Sequence, residues 1–353
     1  MNISKAKEAL DKIIRKARVH LYKPIQVAEI LHRDRVERDV SLGDLETYRT
    51  PSRRWRDPIC MRLLGRTSTS SARYQDDLFN ENAVPPLALV KLGEVNCHLD
   101  GVVEAYIYRK VEQRHAQLAS AVNYARDNDR ENFDLGEFVG MFWDEPGLKR
   151  SIDKVYEVIV YALFQVLVER MDVFVSVSIN EDRHDLLREF DDFARMVLSI
   201  DAETPTFETR ASFHRVGVTN AADRGLDMWA NYGPAVQIKH LSLSMDQAKS
   251  IVSTVSADRI IIVCIDSERD TIVSLLTQIG WKARIQSVIT LEDLKSWYEK
   301  ALRGVHGVEL GDRLLELVGA ELDAEFPSCA NNELSSFMGE RGYSLLEDVA
   351  WWE

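Results

Sequence analysis

The most constraining feature of this sequence is a change of hydrophobic period near residue 148. Before it, apolar residues recur at helical spacing. After it, short alternating runs are separated by helical ones. Residues 3–18, 24–31, 42–48, 51–66 and 103–126 have helical patterns, and Ser4, Pro24, Ser41 and Pro51 mark candidate helix starts. Ile152–Arg170 follows as a buried helix, then Met171–Ile179 with period two. His184–Ile200 reads as one amphipathic helix. Strands are expected at 209–218, 226–230, 234–241, 259–265 and 282–289, and helices at 245–254, 267–279 and 291–302. Strand and helix in alternation predict an α/β fold with a mixed sheet flanked by helices. The expected organisation is a mainly helical domain over 1–145, an α/β core over 146–305, and an acidic helical tail over 306–353. The acidic, turn-rich run 127–147 supplies the boundary.

Charge follows the same division. The net charge of −13 argues at first against an anionic partner. Residues 1–75, however, carry 17 basic and 9 acidic residues, whereas 306–353 carries 2 basic and 11 acidic. Such asymmetry points to one part that meets an anion. Short helices ending in the basic run PSRRWRDPICMRLLGR are compatible with a helix-turn-helix-like DNA reader, or with a plain bundle bearing solvated arginines. Arg53, Arg54 and Arg56 are candidates for guanine contacts, because arginine pairs with guanine O6 and N7. Arg66 and Arg73 flank a hydroxyl-rich loop suited to phosphate contacts.

Other classes are disfavoured. Cys60, Cys97, Cys264 and Cys329 form no C-x-x-C pair. No Gly-Lys dipeptide occurs, so there is no P-loop and no sign of an ATP-driven motor. The longest apolar run, Val158–Val168, is about half the ~20 residues of a membrane span. A cytoplasmic protein without a signal peptide is expected.

The chemistry concentrates in Asn220–Leu243. Asp227 follows Gly225, Asn231–Pro234 forms a turn, and Gln237 and Lys239 alternate with Val236 and Ile238 on the returning strand. Alternation puts Gln237 and Lys239 on one side, and the hairpin brings Asp227 back toward them. One carboxylate, one amide and one lysine around a point suit phosphodiester hydrolysis. A hard cation takes oxygen ligands, here Asp227, Gln237 and the Ile238 carbonyl. Lys239 can orient water and offset charge on the transition state. Gln237 where an acidic residue is usual leaves less negative charge for two metals. Asp223 and His240 flank this group.

Gly-x-Asp followed by Gln-x-Lys resembles the PD-(D/E)xK nuclease superfamily, in the Gln-x-Lys form of Mrr-like enzymes. The likeness implies a helix acid upstream. Glu189 in Leu186–Leu198 matches that position, with Glu157 in reserve. Across Leu21–Leu31, Asp44–Thr50, Gly65–Phe79 and Thr219–Leu241 the chain resembles the HaeII-type type II restriction endonucleases. That resemblance implies Mg²⁺-dependent cleavage of double-stranded DNA at a short palindromic GC-rich site, PuGCGCPy. It also implies a homodimer and a separate DNA methyltransferase. The alternatives are another nuclease on the same core, either an Mrr-like modification-dependent enzyme or a junction-resolving one, and a non-catalytic DNA-binding regulator. The intact Asp227/Gln237/Lys239 set weighs against the regulator.

Overall fold

The computed structural model describes residues 1–68, 70–72, 75, 77–216, 226–239, 244–255, 257–265, 284–330, 333–347 and 349–352. It forms two compact units: Met1–Val155 with Gly319–Glu353, and Tyr156–Val318. The segment 306–353 is divided between them. The helix expected over 267–279 lies outside the described residues.

The first unit is helical. Its elements are α1 (Ile3–Lys16), α2 (Tyr22–His32), α3 (Pro51–Leu64), α4 (Pro86–His98), α5 (Val102–Asp127) and α6 (Leu135–Asp144). α6 falls in the run read from sequence as turn-rich. Asp134 accepts from Glu137 N–H and starts this helix, and Phe138 and Phe142 are buried along it. Ile25, Leu64, Leu89 and Tyr108 share one core with Phe337, Tyr343 and Trp351, so the end of the chain completes this unit.

A buried polar knot ties these helices together. The Glu104 carboxylate on α5 accepts from Arg35 Nε and Nη2 at 2.9 and 3.0 Å and from Asn96 Nδ2 at 2.6 Å. It also bonds His32 and Tyr343. Burial would raise the Glu104 pKa, but these partners together hold it at about 2.

The second unit opens on α7 (Ile152–Arg170), which begins just before its boundary. β1 (Phe174–Ser178) and β2 (Thr206–Arg210) form a separate antiparallel pair, with α8 (His184–Glu189) between them. The main sheet has five strands in chain order: β3 (Phe213–Arg215), β4 (Met228–Ala230), β5 (Pro234–Ile238), β6 (Arg259–Val263) and β7 (Ile285–Ile289). β3, β4 and β5 run antiparallel, and β5, β6 and β7 run parallel. The sheet is therefore mixed, as the strand and helix order predicts. Parallel neighbours need a crossover, supplied between β5 and β6 by α9 (Met245–Thr254). Ser244 and Gln247 bond reciprocally to cap it.

The five residues of β5 are all buried, because this strand lies inside the sheet with β4 and β6 on its edges. α7 packs on the unit through specific bonds. Gln165 Oε1 accepts from Phe213 N–H at 2.8 Å, and Tyr298 of α10 (Leu291–Arg303) donates to the Ile159 carbonyl at 2.8 Å.

Candidate active site

The β4–β5 hairpin is built for a tight reversal. Gly233 takes φ +112°, and its N–H donates to the Ala230 carbonyl at 2.9 Å. Register pairs Met228 with Val236. Asp227 thus ends one arm of the hairpin opposite the Gln237–Ile238 end of the other. Its backbone is fixed on both edges: the N–H donates to the Val236 carbonyl at 3.3 Å, and its carbonyl accepts from Val216 N–H at 3.0 Å.

The side chains then meet. Asp227 Oδ2 accepts from Ile238 N–H at 2.7 Å and from Gln237 Nε2. Gln237 is only 3 % exposed, so it does not stand on an open face as simple alternation implied. A carboxylate can only accept here, so the amide nitrogen faces Asp227 and Oε1 remains the oxygen available to a cation. A strand residue sends its N–H and C=O to the same edge, so the Ile238 carbonyl opens on the Asp227 side. Lys239 follows, with its N–H donating to Val263 on the opposite edge at 2.8 Å. Asp227, Gln237 and Ile238 are therefore brought together, and Lys239 is the next residue in the chain. Gly225, Asp223 and His240 lie outside the described residues.

Glu189 is placed elsewhere. It is exposed at the end of α8, whose buried residue Leu187 packs with Ala194 and Ile200 in a small cluster of its own. Glu157 on α7 is buried, and its carboxylate lies 3.9 Å from Arg215 of β3. Arg215 pairs across the sheet with Met228, next to Asp227, and precedes Val216, which bonds Asp227. Arg215 was not visible from sequence. Its signal is an arginine at the end of a short strand, which becomes meaningful only when a buried carboxylate is known to face it.

The basic candidates divide as well. Arg56 is 1 % exposed and donates to Gln26 Oε1 at 3.0 Å and to Asp57, so it is a core residue and not a groove reader. Arg66 donates to the Glu325 carbonyl at 2.8 Å and is tied to the end of α11 (Gly307–Glu325). Arg53 is half-buried and Arg54 is exposed. Arg73 lies outside the described residues.

Among the described residues no group of three or more His, Cys, Asp or Glu side chains is arranged to hold a metal. Among the described residues, no helix is long and apolar enough to cross a membrane. One carboxylate, one amide oxygen and one carbonyl fit a hard divalent ion that keeps most of its waters.

Comparison with known proteins agrees with this picture. The family model for the HaeII restriction endonuclease matches residues 6–343. The type II restriction enzyme HaeII of Haemophilus aegyptius is 55 % identical over 348 residues, covering 99 % of each chain. The type II restriction enzyme NgoBI of Neisseria gonorrhoeae is 52 % identical over 341 residues, covering 96 % of this chain and 97 % of its own. No solved structure matches. Enzymes of this class act on double-stranded DNA with a divalent metal ion. With 338 consecutive residues matched, the chain belongs to the HaeII restriction endonuclease family and is a type II restriction endonuclease.

Proposed function

We propose that this enzyme hydrolyses DNA with Mg²⁺ at the Asp227–Gln237–Lys239 hairpin. The observation that carries the reading is the Asp227 carboxylate, held by Ile238 N–H and the Gln237 amide one residue before Lys239. Asp227, Gln237 Oε1 and the Ile238 carbonyl would hold the ion, which when bound polarises the scissile phosphate and acidifies a water. Lys239 orients the attacking water and offsets the charge that builds on the phosphate. Glu157 takes the role of helix acid in place of Glu189. Its pairing with Arg215 beside the Asp227 strand supports that choice.

The reading extends to the substrate and partners. The first unit supplies DNA recognition, with Arg54 and Arg53 the remaining candidates on α3. The family likeness implies a palindromic GC-rich site, PuGCGCPy, read by a homodimer in the cytoplasm. A separate methyltransferase would protect that site.

The test is digestion of unmethylated plasmid and of a copy methylated at that site, with Mg²⁺. Discrete fragments from the unmethylated plasmid alone are expected, and cleavage of the methylated copy alone would overturn the reading. Asp227→Ala and Lys239→Ala should abolish cleavage while specific binding survives. Activity retained in Asp227→Ala would show that the metal is held elsewhere.

A further inference from the structure

Between α7 and β3 the chain leaves the sheet for forty residues. This arm, Met171–Arg210, contains the β1–β2 ladder, α8, and the turns Asp191–Phe193 and Ala194–Leu198. Its own core is small: Leu187, Ala194 and Ile200, with Ile179 against them. The apolar side of the amphipathic helix expected over His184–Ile200 points largely into solvent. Phe190 and Phe193 are 50 and 53 % exposed, and Met196 and Val197 are 85 and 61 % exposed. Phe174 on β1 and Phe207 on β2 are open as well. Of the twelve phenylalanines in the chain, the four exposed ones all lie here.

We propose that this arm is the face on which a second copy of the chain docks. An isolated two-stranded ladder is marginal in water, and both strands here are exposed along nearly their whole length. Taking about 200 Å² per aromatic side chain, the four phenylalanines expose roughly 400 Å² between them. The exposed methionines, valines and leucines bring the arm to the order of 1,000 Å². Val177 is opposite Phe207 and Phe174 is opposite Arg210, so this total lies on both faces of the ladder, and an arm clasped on both sides would bury it. The total matches the ~800 Å² that each partner contributes to a stable interface.

Charge narrows the occupant. The arm carries ten acidic and four basic residues. Arg188, Arg195 and Arg210 already pair with acids of the arm. Such a surface repels phosphate, so neither DNA nor an anionic membrane covers it. A second copy is favoured because each chain has one candidate site and a duplex has two strands. This choice rests on the proposed nuclease reading. The arm is also rooted at that site. It joins α7, which bears Glu157, to β3, which bears Arg215. Asn231, in the β4–β5 turn, donates to the Arg210 carbonyl at 2.8 Å and accepts from Ser212 N–H at 3.0 Å. Docking two arms about a two-fold axis would set the spacing of two hairpins.

Sedimentation of the full chain without DNA tests this. The wild type should be a dimer at micromolar concentration. Met196→Glu combined with Val197→Glu should raise the dimer dissociation constant at least about 30-fold, the loss typical of an interface hot spot. These side chains are in solvent in the single chain, so the far-UV circular dichroism of the variant should match the wild type. Met61→Glu, exposed on α3, should remain dimeric. Added salt should strengthen the dimer, because it screens two acidic arms. On supercoiled plasmid the double variant should accumulate nicked circles where the wild type gives linear DNA. A monomeric wild type, or a double variant as dimeric as the wild type, would overturn the proposal. Asp227→Ala must stay dimeric whatever its activity, so failure of the nuclease reading is seen separately.

Discussion

At the scale of single residues, the site depends on which carboxylate accompanies Asp227. Glu157 is buried against Arg215 and Glu189 is exposed on a separate cluster. Glu157→Gln should therefore lower cleavage by about 10²-fold or more, on the scale of a lost acid or base group, while Glu189→Gln stays near wild type. Plasmid cleavage rates check this pair directly. Gln237→Glu places a second charge beside Asp227, and a metal titration of cleavage should show an altered preference among divalent ions. Two histidines give a pH signature. Burial and the nearby Arg66 hold His20 at about 3, and burial holds His115 at about 4, both below the ordinary 6.5. The unfolded chain binds their protons first, so stability is full above pH 6.5 and falls as pH drops below it. The slope is at most about 1.4 kcal/mol per pH unit for each histidine. Glu104, with its pKa depressed, adds a later loss as pH falls from about 4.5 toward 2. Urea unfolding across pH 7 to 4 should show the histidine phase, and His115→Phe should flatten it.

At the scale of elements, the hairpin is the part that must not shift. Gly233 has φ +112°, and an added Cβ would come within 2.9 Å of Arg259, which itself bonds the Tyr232 carbonyl. Gly233→Ala should cost about 1–3 kcal/mol of local strain, read as a lower melting temperature. Cleavage should fall with it, since the turn sets the register of Asp227 against Gln237. Several elements were legible in the sequence. The helix at 245–254 and the buried helix 152–170 are found with the expected bounds, because caps and apolar period are local signals. The expected helix 184–200 breaks after Glu189 into separate turns. Its amphipathic pattern was real, but the described surface offers it no apolar face to pack on.

At the scale of the whole molecule, charge is redistributed by folding. Part of the basic N-terminal segment is matched within its own unit by the acidic end of the chain. Arg62 pairs with Glu333 and Glu340, and Arg66 with Glu325. Fewer cations are thus left for DNA than the count suggests. Binding by the remaining patch should still weaken steeply with salt. With about six phosphate contacts, affinity should drop on the order of 10³-fold between 50 and 200 mM salt. Gel-shift titrations on cognate DNA measure the slope. The same segment is bound through the Glu104 knot. Glu104→Ala leaves Arg35 and Tyr343 without their acceptor and should cost about 3–5 kcal/mol in urea unfolding of the first unit.

The sequence by itself determined the α/β order, the hairpin and the approach of Asp227 to Gln237. Each is encoded within a few residues, by strand period, turn chemistry and one close pair of strands. Only the tertiary structure decided that Glu157 is buried against Arg215 while Glu189 is exposed, that Arg56 is a core residue, and that the acidic end of the chain neutralises basic helices. Those outcomes depend on contacts between residues tens to hundreds of positions apart, and local pattern carries no information about which distant charge a buried group will meet.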